Sequence, residues 1–245
     1  MRTPHSALLL VGSPKPGGSS SASLGTYVQE RLAARDVATE TVVLAKAMKT
    51  AEGAQALLAA VARADLVVLS FPLYVDSLPA PVTRAFELIA DSRAADAQGS
   101  GTAGVQSPGA ADAQVSGKPG QPGFLAICQC GFPEVEHNRV ALEICAHFAR
   151  AAGFAWAGGL AMGGGGLIGG QPLGARGGLL RSVTRALDLS AAELADGRPV
   201  PGEAVRLMGK AAFPAFAYRF VANRGWRADL KKRGAATPLD ARPYA

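Results

Sequence analysis

A loop rich in small and hydroxyl residues follows the first apolar run of the sequence. It contains Ser13, Lys15 and the run Ser19-Ser20-Ser21, and it leads into a segment of helical periodicity. Small residues let backbone N–H groups approach an anion, a helix N-terminus contributes partial positive charge, and hydroxyls add further donors. The loop has neither the G-x-G-x-x-G nor the Walker pattern, which disfavours a classical dinucleotide or ATP site. We predict a monophosphate site here; the alternative is an ordinary connection with serine caps.

A second loop, stiffened by prolines, follows the third apolar run. It begins Pro72-Leu73-Tyr74-Val75 and ends at Pro81. Apolar and aromatic side chains on such a loop suit a flat apolar ligand, and its backbone N–H groups can serve the polar edge of that ligand. The alternative is a connection whose Leu73 and Tyr74 only cover the core.

A third loop contains two cysteines separated by one residue, Cys128 and Cys130, followed by Gly131 and Phe132. The pair suggests metal or redox chemistry at first sight. No second cysteine pair and no suitably spaced histidines accompany it, which disfavours a zinc or iron–sulfur site. We interpret the two cysteines as buried bystanders.

The histidines give no sign of a hydrolase. His137 lies near the start of a predicted helix on the side of the three loops, so we weigh a role in the site against an ordinary surface position. His147 falls within that helix, where a satisfied, partly buried side chain is expected. Because no Ser/His/Asp arrangement is specified, hydrolysis has no support.

The elements that must position these loops are short apolar runs alternating with segments of helical periodicity. We expect strands at Ala7–Val11, Thr39–Leu44, 65–71, Phe124–Cys128 and Phe154–Met162, each followed by a helix. This alternation predicts an α/β fold, a doubly wound sheet of five parallel strands with helices on both faces. In such sheets ligands bind beyond the carboxyl ends of the strands, where the three loops lie.

Two segments depart from this pattern. Residues 92–123 are rich in Ala, Gly, Ser, Gln and Pro, which is typical of a low-complexity loop inserted in the domain. Residues 201–245 hold too few apolar residues for a core of their own. We therefore predict one domain over residues 1–200 and a basic, aromatic C-terminal extension over 201–245.

The amino-acid composition indicates the cellular compartment of the protein and the classes of partner that it is expected to lack. The chain has 245 residues, 49% hydrophobic and 18% charged, and its three cysteines argue against a disulfide framework. Nine Lys and Arg and three Asp and Glu lie from residue 202 onward, which accounts for the whole net charge of +6. No segment reads as a signal peptide or a membrane span. We expect a cytoplasmic protein without a nucleic-acid partner.

The basic tail leaves three interpretations open. Aromatic residues there, among them Phe220 and Trp226, alternate with arginines and lysines. Such a segment could contact a membrane surface, cross to a second subunit near its ligand, or pack as a helix on its own domain. We favour packing, within the chain or across a dimer, over membrane contact.

The three loops together resemble those of the NADPH-dependent FMN reductase and NAD(P)H quinone reductase group of flavodoxin-like flavoproteins. The resemblance rests on residues 12–15 (GSPK) with 19–21 (SSS), on 72–74 (PLY) with 78–81 (LPAP), and on Gly131. It covers about residues 6–162. It implies a flavodoxin-like fold, an FMN cofactor, NADPH or NADH as co-substrate, and a homodimer or homotetramer.

The resemblance also implies a role for each loop. Ser13, Lys15, Ser19, Ser20 and Ser21 would hold the FMN phosphate. Pro72, Leu73, Tyr74 and Val75 would line the flavin ring, with backbone amides near its N5 and O4 edge. Gly131 and Phe132 would close one side of the ring.

The function implied by the resemblance is an FMN-dependent NAD(P)H oxidoreductase. It would pass hydride from the nicotinamide through flavin N5 to a small-molecule acceptor: a quinone, a nitro or azo compound, or free flavin. The chemistry belongs to the cofactor, so no catalytic acid or base is expected from the chain. The alternatives are a non-enzymatic FMN electron carrier and a flavin-free binding protein on the same scaffold.

Overall fold

The computed structural model describes residues 1–99, 120–210 and 215–234. Its strands are β1 (Ser6–Val11), β2 (Ala38–Val43), β3 (Leu66–Pro72), β4 (Gly123–Gln129) and β5 (Ala155–Met162). Its helices are α1 (Ser20–Ala33), α2 (Leu44–Ala47), α3 (Ala51–Arg63), α4 (Ala80–Gly99), α5 (Arg139–Ala151), α6 (Arg181–Ala195), α7 (Gly202–Met208) and α8 (Ala215–Lys232).

The five strands form one parallel sheet in the order β2-β1-β3-β4-β5, which is the flavodoxin-like order. All seven residues of β3 and all seven of β4 are buried, as expected for central strands covered on both faces. β2 lies at the edge and exposes four of its six residues. The predicted doubly wound, five-stranded sheet is confirmed.

Side chains alternate across the sheet into two cores. Leu9 and Val11 of β1 point into the layer of α1, α6 and α7, whereas Leu8 and Leu10 point into the layer of α3, α4 and α5. The strands contribute side chains to the cores on both faces, and this packing holds the sheet in place. The loops at its carboxyl edge therefore start from fixed points.

Two boundaries differ from those expected. α4 continues to Gly99, past Ser92 where the sequence predicted the start of the insertion loop, because this stretch is rich in alanine, the best helix former. Residues 100–119 of that insertion lie outside the described residues. The extension predicted from residue 201 begins with α7, whose Ala204 and Met208 are buried in the core.

Asp65 ties the start of β1 to the start of β3. Its Oδ2 accepts hydrogen bonds from the N–H groups of His5 (2.9 Å) and Ser6 (3.0 Å), and its Oδ1 lies 2.7 Å from Nε of Arg2. Burial alone would raise the pKa of the Asp65 carboxyl, but these hydrogen bonds and the Arg2 charge outweigh it, so the pKa is lowered.

We expect Asp65→Asn to lower the free energy of unfolding at pH 7 by about 1–3 kcal/mol, because charged hydrogen bonds are lost. Since the pKa is lower in the folded state, the carboxylate stabilises the fold fully above its unfolded pKa of about 4 and loses this effect as the pH falls through the folded value. Urea unfolding of both proteins at pH 7 and below pH 3 measures the difference, which should shrink in acid. Asp91→Asn, at an exposed position, is the control; an equal difference at both pH values would contradict this role.

Candidate functional site

The loops after β1, β3 and β4 leave the sheet side by side. Val11 is paired with Ser70, and Pro72 with Gln129, so the three strands end at similar heights. Backbone hydrogen bonds continue this register into the loops, from Gly12 N–H to the Ser70 oxygen and from Leu73 N–H to the Gln129 oxygen, both 2.8 Å. The structure thus brings the three predicted loops to one edge.

The first loop is held close to β3 and α4. A side chain at Gly12 would meet Val82 at 2.6 Å and Phe71 at 2.7 Å, so only glycine allows this approach. The loop ends at Ser19, the N-cap of α1, whose hydroxyl accepts from the N–H of Ala22 at 3.1 Å.

The first loop and the N-terminus of α1 hold hydrogen-bond donors without partners. Among the residues that the structure describes, the backbone N–H groups of residues 17–21 have no acceptor within the protein. The hydroxyls of Ser13 and Ser19 each accept a backbone N–H, which leaves their own protons free to donate. The hydroxyl of Ser21 is fully buried and has no partner.

The charge of this region suits an anion. Lys15 is exposed on the loop, and the first turn of α1 contains no acidic residue. Buried donors without a partner are costly unless a ligand satisfies them. The residues therefore fit a phosphate group. The hydroxyl of Ser20, which was also predicted to hold the phosphate, donates its hydrogen bond to the Gly165 oxygen at 2.7 Å.

The second loop forms a tight turn. Tyr74 and Ser77 exchange two backbone hydrogen bonds of 3.0 Å across Val75 and Asp76, which both have positive φ, 49° and 56°. Positive φ at both central positions defines a type I′ turn. The N–H groups of Val75 and Asp76 have no acceptor among the described residues, so they are free to serve a ligand.

The four residues predicted to line a flat ligand divide into two pairs. Pro72 is buried as the last residue of β3, and Leu73 packs against the core. Tyr74 is 47% exposed and Val75 is 99% exposed. Direct contact with a ligand is therefore open to Tyr74 and Val75.

A β-branched residue with positive φ is rare and strained. We expect Val75→Gly to raise the free energy of unfolding by about 0.5–1 kcal/mol, because glycine removes the strain, and to weaken ligand binding a few-fold. Urea unfolding and a ligand titration measure both. The matched change Asp76→Gly should raise the free energy of unfolding less, because aspartate tolerates positive φ better than valine does. A loss of stability in Val75→Gly would contradict the presence of backbone strain at Val75.

Asn138, which the sequence did not single out, organises the third loop. It is fully buried, its Nδ2 donates to the oxygens of Val135 (3.0 Å) and Met162 (3.3 Å), and its amide contacts the Sγ atoms of Cys128 and Cys130. Finding it requires knowing that the ends of β4 and β5 are adjacent, which no local pattern shows.

The cysteines of this loop are neutral thiols. Burial raises the pKa of Cys128, of Cys130 and of Cys145 on α5. A thiolate is the form that binds metals and attacks disulfides. Within the described parts of the chain, no group of three or more metal-ligating side chains occurs.

The tip of the third loop faces the second loop. Phe132 is 63% exposed, and its ring centre lies 5.4 Å from that of His137. Nδ1 of His137 lies 3.9 Å from Oδ1 of Asp76. This contact places His137 between the second and third loops. The sequence left open whether His137 belongs to the site or lies at an ordinary surface position.

A glycine-rich loop after β5 closes the site from the other side. A side chain at Gly163 would overlap the Pro133 oxygen, and one at Gly18 would lie 2.9 Å from the Gly170 oxygen. Glycines in the 163–170 run thus permit close contact with both the first and the third loops. The site also includes Tyr218 of α8, whose hydroxyl donates to the Gly131 oxygen at 2.5 Å.

Comparison with known proteins agrees with this geometry. Residues 6–119 match the NADPH-dependent FMN reductase family. The resemblance to NADPH-dependent FMN reductases that the sequence predicted is confirmed over these residues. The match includes the first two loops of the site.

Two solved structures share the fold. The chain is similar to an NADH:FMN oxidoreductase in its apo form, at 12% identity over 86% of this chain and 97% of that chain, with a TM-score of 0.52. It is also similar to an FMN-dependent NADH-azoreductase from Bacillus anthracis str. Ames Ancestor in complex with FMN, at 13% identity over 78% of this chain and 99% of that chain, with a TM-score of 0.50. No curated protein sequence matches the chain. Among the described helices, none has the length and apolar character needed to cross a membrane.

Proposed function

We propose that the chain transfers hydride from NADPH or NADH to its FMN, and electrons from there to a quinone, a nitro or azo compound, or free flavin. The observation that carries the proposal is the set of free N–H groups and the buried, unpartnered Ser21 hydroxyl at the N-terminus of α1. These donors match the oxygens of a phosphomonoester.

The chain's own groups divide the work of holding FMN. Ser13, Ser19, Ser21 and the free N–H groups of the first loop would bind its phosphate, with Lys15 adding positive charge. Tyr74 and Val75 would cover the ring from one loop and Phe132 from the other. The free N–H groups of the 74–77 turn would donate to the polar edge of the ring.

When bound, FMN supplies the hydride acceptor at N5 and the electrons for the second substrate. The chain contributes binding, orientation and hydrogen-bond donors where negative charge develops on the ring, which requires no acid or base from a side chain. Tyr74, Val75 and Phe132 are exposed, which leaves access for the nicotinamide and then for the acceptor.

Two measurements on the purified protein test this proposal. FMN should be bound in a fluorescence-quenching titration, and NADPH should bleach its visible absorption without oxygen, with steady NADPH oxidation once a quinone is added. Binding without NADPH oxidation would instead support an FMN electron carrier. A protein that does not bind FMN would support a flavin-free binding protein.

A further inference from the structure

Among the described side chains of helix α8, that of Tyr218 reaches the site. The Tyr218 hydroxyl donates to the Gly131 oxygen at 2.5 Å, and its ring lies against the glycine loop after β5. Beyond this point the helix is largely exposed: Phe220 is 71%, Val221 58% and Trp226 60% accessible. The helix is therefore not held by a broad apolar interface with the domain, at least over its described side chains.

The glycine loop provides the slot for Tyr218. A side chain at Gly164, which has a φ of +67°, would lie 3.2 Å from Cε2 of Tyr218, and one at Gly166 would lie 3.8 Å from its hydroxyl. These two glycines leave room for an aromatic ring from a helix more than 50 residues later in the chain.

The hydrogen bond fixes the peptide between Gly131 and Phe132. In a trans peptide the carbonyl and the N–H point in opposite directions, so a carbonyl held by Tyr218 directs the Phe132 N–H away from α8. Among the described residues this N–H has no acceptor in the protein. It is thus a free donor of fixed direction on a loop that borders the site.

Burial of the phenol, with a smaller contribution from the nearby Cys130, raises the pKa of Tyr218. The hydroxyl consequently stays protonated at neutral pH and keeps its proton for the Gly131 oxygen.

We propose that Tyr218 is a positioning residue for the FMN site: it clamps the third loop to the glycine loop, and it makes the C-terminal helix part of the cofactor-binding structure. The proposal rests on the proposed function for its ligand, but the clamp itself is a property of the protein without FMN. It assigns to the extension a role within the chain rather than at a membrane.

The test compares Tyr218→Phe, which keeps the ring and removes the hydroxyl, with Tyr218→Ala and with Phe220→Ala on the exposed side of the same helix. In the full-length protein without FMN, we expect amide hydrogen exchange of residues 130–138 to accelerate in both Tyr218 variants and to remain unchanged in Phe220→Ala. FMN affinity, measured by fluorescence quenching, should fall about 5-fold in Tyr218→Phe, as for one lost hydrogen bond, and further in Tyr218→Ala.

The two readouts separate the proposals. Unchanged exchange in the third loop and unchanged FMN affinity in Tyr218→Phe would overturn the role of Tyr218. If the unmodified protein binds no FMN, the proposed function fails, and the exchange measurement still decides whether Tyr218 clamps the loop.

Discussion

Replacing Ser19 with aspartate is expected to weaken FMN binding strongly while preserving the cap of α1. Aspartate caps a helix as well as serine does, and a negative charge at a helix N-terminus is favourable in itself. In the proposed complex, however, the same carboxylate would face the FMN phosphate. At about 4 Å and an effective dielectric constant near 20, two like unit charges repel by about 4 kcal/mol. We expect FMN affinity to fall on the order of 100-fold or more.

A second N-cap in the chain provides the control. Thr50 caps α3 with backbone angles of −135° and 156°, close to the −131° and 154° of Ser19, and its hydroxyl accepts from the N–H of Gly53 at 3.0 Å. Thr50 is exposed whereas Ser19 is buried, so Thr50→Asp should keep its helix cap at no greater cost in stability and bind FMN normally. Fluorescence titration and thermal unfolding of both variants make the comparison. Normal FMN affinity in Ser19→Asp would place the phosphate elsewhere.

Gly163→Ala is expected to reduce both stability and FMN affinity. Its new methyl group would overlap the backbone oxygen of Pro133, and a backbone atom cannot rotate away as a side chain can. The third loop must shift, at a cost of about 1–3 kcal/mol in the free energy of unfolding. Because Phe132 lies on that loop, FMN binding should weaken about 10-fold by the loss of about 1.4 kcal/mol.

Gly174→Ala is the matched control for this change. A side chain at Gly174 meets no atom within 4 Å, so its stability and its FMN affinity should stay close to those of the unmodified protein. Urea unfolding and FMN titration apply to both variants. If the two alanine variants had the same stability and the same FMN affinity, the close approach of Gly163 to the third loop would contribute to neither.

The fold was accessible from the sequence because its signals are local. The apolar run 7–11 is buried throughout as predicted, and the alternation of strands and helices specifies a parallel sheet without knowledge of contacts. Loop positions followed from the same rule, since all parallel strands end at one edge. Ser19, Ser20 and Ser21 lie at the N-terminus of α1, where the sequence predicted the start of a helix.

The remaining parts of the site depend on distant contacts or on unusual backbone conformation. Tyr218 meets Gly131 across 87 positions of sequence, and Asn138 links the loop after β4 to the last residue of β5. The turn at Val75 could not be predicted from its residue type, because valine disfavours positive φ. Only the assembled edge of the sheet shows which neighbours these residues have.

A crystal structure of the protein with FMN tests the central claim most directly. We expect the phosphate at the N-terminus of α1, with its oxygens within about 3.2 Å of backbone N–H groups of the 17–21 segment and of the Ser21 hydroxyl. A phosphate bound away from this helix end, with Ser21 still unpartnered, would contradict it.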